Sequence, residues 1–182
     1  MVVERVRLTA RDAIVTAAIS VLHEHPTASL QEIALKAGVG RATLHRHFSS
    51  REVLLNQISL QCMDEMETAI GAAEQDGDTS YERLVKLFAI TIPMGNRYNF
   101  LQQASDDEEI RHRYAAQLKW LEGLAVSLVQ DGVLDAAVPL RWVVAQIDQL
   151  IWMGWRLVES GELTASDASA LAVRTLIHGV GE

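Results

Sequence analysis

The chain has 182 residues, of which 49% are hydrophobic and 22% charged, a composition that supports a buried core and disfavours disorder. Its three prolines and eleven glycines leave long uninterrupted stretches, which favours helices over many short strands. The single cysteine excludes an internal disulfide, and no uncharged apolar run reaches the length of a membrane span. Together with a charged N-terminus unlike a signal peptide, these features predict a cytoplasmic protein.

The formal net charge of −8 is distributed unevenly along the chain. Residues 1–60 contain seven Lys or Arg against five Asp or Glu, whereas the remainder contains nine against nineteen. A mildly basic unit attached to an acidic body is typical of a protein that directs one end at nucleic acid. The asymmetry supports DNA binding without being specific to it.

The N-terminal elements are predicted by caps and by apolar spacing. Thr9 and the apolar stripe that follows it predict a first helix, which ends near Glu24. A capping box over 29–32 begins a second, short helix, and Gly38 ends it. A third helix is predicted over 41–48, with an inward face formed by Val39, Leu44 and Phe48.

The remainder of the chain is predicted to form helices only. A second capping box over 49–52 opens the fourth helix, and no segment shows the alternation of a strand. The predicted fold class is therefore all-α, with about nine helices. Beyond the first three, they lie at about 50–75, 80–94, 97–104, 107–131, 139–160 and 164–179.

Residues 29–47 have the length and punctuation of a helix-turn-helix. Ala34 is small enough for the two helices to cross closely, and Gly38 supplies the flexible turn. The second helix can bury Leu44 and Phe48 while its other side remains available to a DNA major groove.

The stretch TASLQEIALKAGVGRATLHRHFSSREVLL resembles the N-terminal domain of the TetR family of bacterial transcriptional regulators. The resemblance rests on the ordered set E-I-A-x-x-A-G-V, A-T-L-x-x-H-F and S-x-x-x-L-L, and it covers about residues 9–55. It implies a DNA-binding domain over 1–50 and a helical domain over 51–182 that binds a small-molecule ligand and dimerises. Such a regulator, most often a repressor, acts as a homodimer on a palindromic operator.

The resemblance and the side-chain chemistry together give the expected DNA contacts. Arginine pairing with guanine, and methyl contact with thymine, suit the first turn of the recognition helix. Basic side chains farther along suit the phosphates, which position the domain without specifying sequence. Base contacts are expected from Arg41, Ala42 and Thr43, and phosphate contacts from His45, Arg46, His47 and Arg51.

Three positions depart from the family pattern. Gly40 stands where the family often has serine, so the recognition helix lacks its usual side-chain cap. His45 replaces a tyrosine and Arg51 replaces a lysine, and both family residues commonly contact phosphate. Arg51 keeps the charge, whereas His45 reaches less far, which leaves the role of His45 open.

The body carries aromatic and polar residues suited to a ligand pocket, and an apolar stripe on its last two helices. These helices resemble the pair that forms the dimer interface in the family. Exposed on a monomer, the stripe would favour aggregation, so an isologous dimer is expected. The expected ligand contacts are Phe88, Met94, Arg97, Phe100, His112, Trp120, Trp152 and Trp155. The expected interface residues are Val143, Ile147, Leu150, Ile151, Gly154, Val158, Leu171 and Leu176.

Other functions have less support in the sequence. No paired catalytic carboxylates, nucleophile with base or metal-ligand spacing is found, so neither an enzyme nor a bound metal or other cofactor is expected. A helical protein-interaction dimer with a vestigial helix-turn-helix is the alternative, favoured by the weak cap at Gly40 and the acidic total charge. The expected partners are a double-stranded DNA operator, a second copy of the chain and an unidentified effector, with no membrane.

Overall fold

The computed structural model describes residues 9–98 and 107–179. Within these ranges the chain forms eight α-helices and no strand, which confirms the all-α prediction. The helices are α1 (Ala10–Glu24), α2 (Leu30–Lys36), α3 (Arg41–His47), α4 (Arg51–Ala73), α5 (Ser80–Tyr98), α6 (Glu108–Gln130), α7 (Leu140–Glu159) and α8 (Ala165–His178).

The helix starts follow the local cap chemistry closely. Thr9 and Ser29 both form capping boxes, in which the hydroxyl accepts an amide N–H and the carboxylate three residues later accepts the cap's own N–H. The cap of α4 lies one residue later than the sequence predicts. Ser50, rather than Ser49, is the extended residue whose hydroxyl accepts the N–H of Val53, at 3.2 Å.

The N-terminal unit, α1 to α3, packs around one buried cluster with the first half of α4. All three inward residues predicted for α3 lie on its inner side, with Leu44 and Phe48 1% exposed and Val39 half-buried. Cys62 belongs to this cluster, and burial followed by the nearby Glu65 raises the pKa of its thiol to about 12. The thiol is therefore a protonated packing group.

The body has a second core, built where α5, α7 and α8 pack against one another and α6 covers α7. The buried surface includes most of the apolar stripe that the sequence assigned to a dimer interface. Within that set only Leu171, which is 39% exposed, lies on the outside. The buried members are Val143, Ile147, Leu150, Ile151 and Gly154, and the partly buried ones are Val158 and Leu176.

The interface assignment of this set stays a prediction, and the structure places its buried members inside the protomer. Helical periodicity identifies the apolar face of a helix but does not say which element covers it. Here α5 and α8 of the same chain cover α7, so the face supplies the core of one protomer.

Helix α5 also differs from its prediction, because it continues through Pro93 to Tyr98 instead of ending near residue 94. A proline inside a helix removes one backbone hydrogen bond and crowds the preceding turn. The indole N–H of Trp155 donates to the carbonyl of Thr91 at 2.6 Å, a tertiary contact two residues before the proline. Of the short helix predicted over 97–104, the first two residues belong to α5 and the rest lies outside the described residues.

Two glycines allow α5 and α7 to approach closely. A Cβ atom at Gly95 would overlap the indole ring of Trp155, and one at Gly154 would lie 2.7 Å from Cδ1 of Ile92. Trp155 and Ile92 are both buried, so neither can withdraw to solvent. The crossing of α5 and α7 therefore depends on these positions having no side chain.

We expect Gly95→Ala to lower the free energy of unfolding by about 1–3 kcal/mol, because the added methyl group must displace a buried ring. Gly123→Ala is the matched control, since a Cβ at that helical glycine meets no atom within 4 Å. This control is expected to raise stability by about 0.5–1 kcal/mol through helix propensity. Urea denaturation measures both, and equal effects of the two substitutions would contradict the close crossing.

Candidate nucleic-acid interface

The turn between α2 and α3 is closed by backbone hydrogen bonds. The N–H of Val39 donates to the carbonyl of Ala34 at 3.0 Å, and that of Gly38 donates to Leu35 at 3.1 Å. Gly38 has a φ of +68°, which glycine adopts without steric cost. The turn thereby sets α3 at a defined angle against α2.

Helix α3 has one buried face and one exposed face. Leu44 lies in the core, whereas Arg41, Ala42, His45 and Arg46 are exposed. The first turn of α3 contains no acidic residue, and Gly40 at its N-cap provides no side-chain hydrogen bond. Two predicted contact residues, Thr43 and His47, lie half-buried at the edge of the exposed face.

Two side chains on the exposed face of α3 contact each other. Arg41 and His45 are one helical turn apart, and Nε of Arg41 donates to Nε2 of His45 at 3.5 Å. This contact places the guanidinium and the imidazole side by side on the surface that leads away from the core.

Arg51, for which the sequence predicts a phosphate contact, makes hydrogen bonds within the N-terminal unit. Its guanidinium donates to the carbonyl oxygens of Ala28 and Pro26, in the loop between α1 and α2. The half-buried side chain thus fastens that loop to the first turn of α4. The phosphate contact of Arg51 stays a prediction, and the structure shows the forked guanidinium bound to two carbonyl groups.

The residues predicted to line a ligand pocket do not converge on one place. Trp120 lies under the guanidinium of Arg83, near the start of α5, at 5.7 Å from ring centre to Cζ. Trp155 lies against Thr91 and Gly95. Positions 83 and 95 are twelve residues apart, about 18 Å along a helix, so the two tryptophans occupy different ends of the body.

The remaining members of that set differ in exposure. Arg97 and His112 are exposed, and Nη1 of Arg97 lies 3.7 Å from a carboxylate oxygen of Glu65. Phe88 is fully buried in the core, Met94 and Trp152 are half-buried, and Phe100 lies outside the described residues.

A polar cluster between α6 and α7 includes Trp152, which is one of the expected ligand contacts. The hydroxyl of Tyr114 donates to Asp148 at 3.3 Å, and Trp152 is one turn farther along α7. Trp152 in turn meets Trp155 edge to face, with ring centres 4.2 Å apart. In the sequence, Asp148 is the one charged residue of the segment 142–155.

The carboxylate of Asp148 is half-buried and has no cation beside it within the part of the chain described. Burial raises its pKa above the ordinary carboxyl value, against hydrogen bonds from Tyr114, Gln149 and Trp152 that lower it. A partly desolvated anion flanked by aromatic rings is an arrangement that attracts a positive group.

Helix α4 connects the two units and is fastened to α6 by one arginine. The guanidinium of Arg113 binds Asp64 at 2.6 Å and Glu67 at 2.7 Å, and both carboxylates lie on α4. Gln117 adds a hydrogen bond to Glu67 at 3.2 Å. The forked donor thus holds α4 at two successive positions on one face.

Residues 9–98 and 107–179 contain neither a candidate membrane span nor a cluster of metal ligands. None of the helices there is both long and apolar enough to span a bilayer. No group of three or more His, Cys, Asp or Glu side chains in those ranges is placed to hold a metal ion.

Comparison with known proteins agrees with the geometry of the N-terminal unit. Residues 14–58 match the model of the bacterial regulatory proteins of the tetR family. These residues include the whole of α2 and α3 and the turn between them. Over this segment the chain is similar to the TetR family.

A TetR-family relative, the HTH-type transcriptional repressor LfrR of Mycolicibacterium smegmatis, is 40% identical over 79 residues. That alignment spans 42% of this chain and 42% of the repressor, so it covers less than half the length of either. The match agrees with the prediction of a regulatory protein rather than an enzyme.

Solved TetR-like structures extend the similarity to the body. LfrR from Mycobacterium smegmatis in complex with proflavine has a TM-score of 0.76 at 26% identity, covering 95% of this chain and 98% of that one. The ketosteroid transcriptional regulator KstR2 of Mycobacterium tuberculosis has a TM-score of 0.78 over 100% of both chains, at 19% identity. The second likeness shows the fold alone.

The hydrogen bonds of Arg51 predict a stability effect. We expect Arg51→Ala to lower the free energy of unfolding by about 1–3 kcal/mol, since it removes charge-assisted bonds that hold the loop between α1 and α2. Arg46→Ala, at an exposed position on α3, is expected to change stability by less than about 0.5 kcal/mol. Thermal unfolding without DNA compares the two, and equal stability would contradict the structural role.

Proposed function

We propose that this chain is a DNA-binding transcriptional regulator, most simply a repressor that responds to a ligand and acts as a homodimer on a palindromic operator. The observation that carries the proposal is the division of α3 into a buried side, anchored by Leu44, and an exposed side bearing Arg41, Ala42, His45 and Arg46. That division is what insertion into a major groove requires.

The roles proposed for α3 follow its exposure. Arg41 and Ala42, in the first turn, are positioned for base edges, with Thr43 contributing through its accessible part. His45, Arg46 and the edge residue His47 are proposed to contact phosphates. Arg51, which fastens the loop between α1 and α2, is proposed as a further phosphate contact at the start of α4.

The domains are proposed as a head over 1–50 and a ligand-binding and dimerisation body over 51–182. The first half of α4 packs with the head even though it begins the body in sequence, because Leu54, Ile58 and Cys62 lie in the N-terminal cluster. In a dimer the two heads would place their α3 helices about 34–36 Å apart, in successive major grooves.

Selection of random duplex DNA by the purified protein tests the proposal. We expect a palindromic sequence, bound with an affinity that falls steeply as salt rises, because basic side chains displace counterions from phosphates. A folded protein that enriches no sequence, with and without added small molecules, would contradict DNA binding. That outcome would favour a helical protein-interaction dimer, for which the uncapped start of α3 at Gly40 is the supporting observation.

On the selected sequence, Arg41→Ala is expected to weaken binding by about 1–3 kcal/mol and to relax the preference at one base pair. Arg46→Ala is the control, and it is expected to weaken binding to all sequences alike while reducing the salt slope by about one. Titration against every single-base variant of the site distinguishes the two. Uniform weakening by Arg41→Ala would place Arg41 on a phosphate instead.

The effector proposed for the body is a planar aromatic cation. Its site is the cluster of Tyr114, Asp148 and Trp152, where a half-buried carboxylate without a cationic partner lies beside aromatic rings. The structure of LfrR in complex with proflavine supports the choice, since proflavine is a compound of this class. Charge neutralisation and stacking on indole would both contribute to binding.

We expect Asp148→Asn to weaken proflavine binding about tenfold, as measured by fluorescence titration without DNA. Glu159→Gln, which neutralises an exposed carboxylate on the same helix, is the control and should leave the affinity unchanged. The pKa of Asp148 is raised, so the wild-type affinity should fall as the pH is lowered through a range above that of an ordinary carboxyl group. An unchanged affinity and pH dependence in Asp148→Asn would contradict this site.

A further inference from the structure

The guanidinium of Arg41 is held through one particular nitrogen. Its Nε–H donates to Nε2 of His45, one turn farther along α3, at 3.5 Å. The first turn of α3 contains no acidic residue, and no carboxylate lies within ion-pair distance of Arg41 in residues 9–98 and 107–179. In that part of the chain, the imidazole of His45 is therefore the side-chain partner of Arg41.

We propose that His45 is a positioning residue that orients Arg41 toward a guanine in the major groove. The neutral imidazole holds Nε of Arg41, and the two Nη groups of the same guanidinium contact O6 and N7 of the base. The inference rests on the DNA binding of the proposed function, and it specifies the base that α3 selects and the residue on which that selection depends.

The nitrogen that His45 engages leaves the tip of the arginine side chain available. A guanidinium has five N–H donors in one plane, one on Nε and the rest on the two Nη nitrogens. With Nε–H bound to His45, each Nη nitrogen still has an N–H directed away from the helix. Guanine presents O6 and N7 side by side in the major groove, and such a pair of acceptors matches two parallel donors.

The contact also specifies the form of the imidazole ring. Nε2 of His45 accepts a hydrogen bond, which requires a neutral ring with its proton on Nδ1, because the protonated ring has two donors and no acceptor. The remaining Nδ1–H can donate to a phosphate oxygen, as proposed for this exposed residue. One imidazole can therefore contact the DNA backbone and orient the neighbouring arginine at the same time.

A neutral acceptor suits this place better than a carboxylate would. The start of α3 has no side-chain cap at Gly40, and Arg46 on the same helix is basic, so the surroundings of Arg41 are positive. An acidic residue at position 45 would hold Arg41 more firmly, but it would neutralise the guanidinium and repel the phosphates. The imidazole of His45 orients Arg41 and leaves its full charge for DNA.

Holding Arg41 in one orientation affects the choice of base more than the total affinity. Adenine presents the N7 acceptor but carries an amino group where guanine has O6, so two parallel donors meet one acceptor and one opposing donor. A guanidinium released from His45 can rotate and bind adenine or a phosphate through one N–H. The contact with His45 therefore disfavours adenine, and it also lowers the entropy that Arg41 loses on binding guanine.

The test compares two duplexes, the selected sequence with guanine and with adenine at the base pair whose preference Arg41→Ala relaxes. His45→Leu removes the acceptor, and it is expected to reduce the ratio of the two dissociation constants about fivefold, as the loss of one hydrogen bond would. His45→Gln is the matched variant, because its Oε1 can accept the same N–H, and it should keep the ratio to within about twofold of the wild type. Fluorescence anisotropy measures the dissociation constants, and circular dichroism verifies that each variant is folded.

A double-mutant cycle separates positioning from a phosphate contact alone. In the Arg41→Ala background, His45→Leu is expected to weaken binding to both duplexes alike and to leave their ratio unchanged. A ratio that His45→Leu leaves at the wild-type value, a fall that persists without Arg41, or a selected site with no guanine at this base pair would overturn the role of His45 and leave the proposed function intact. A folded protein that selects no DNA sequence would overturn both.

Discussion

The structure depends on one constraint, which is that a single helix belongs to both cores. Helix α4 contributes Leu54, Ile58 and Cys62 to the core of the head, and Met66 and Ile70 to the packing of the body. It is 23 residues long, or about 35 Å, and contains no proline at which it could bend. The orientation of α3 toward DNA is therefore determined by the way the body holds α4.

The body holds α4 through polar contacts that lie beside the proposed effector site. Arg113, which binds Asp64 and Glu67 of α4, is followed on α6 by Tyr114, which contacts Asp148. A ligand that moves Tyr114 acts on the same helical turn as the arginine that fastens α4. A ligand weakens DNA binding if it binds more tightly to the arrangement in which the distance between the two heads does not match the operator. By thermodynamic linkage, DNA then lowers the affinity for the ligand by the same factor.

Much of the fold was predictable, because helix boundaries depend on local chemistry. Capping residues such as Thr9 and Ser29, and Gly38 with its positive φ, act within a few residues of the chain and are visible in the sequence. The errors concern contacts that join distant parts of the chain. No residue close to Pro93 in sequence indicates that the indole of Trp155 contacts this part of α5. Likewise, the guanidinium of Arg51 binds a loop more than twenty residues earlier in the chain. The apolar stripe of α7 was recognised as a stripe, but the sequence could not show that α5 and α8 cover it.

The central claim is that two rigidly held α3 helices read DNA together, and the spacing of the half-sites tests it most directly. The affinity of the purified protein is measured for the selected palindrome and for a version with five base pairs inserted at its centre. Because half a helical turn places the second half-site on the opposite face of the duplex, the insertion is expected to reduce the affinity at least about hundredfold, toward that of non-specific DNA. Equal affinity for the two sequences would show that the heads do not bind as a pair of fixed separation, and would contradict the account.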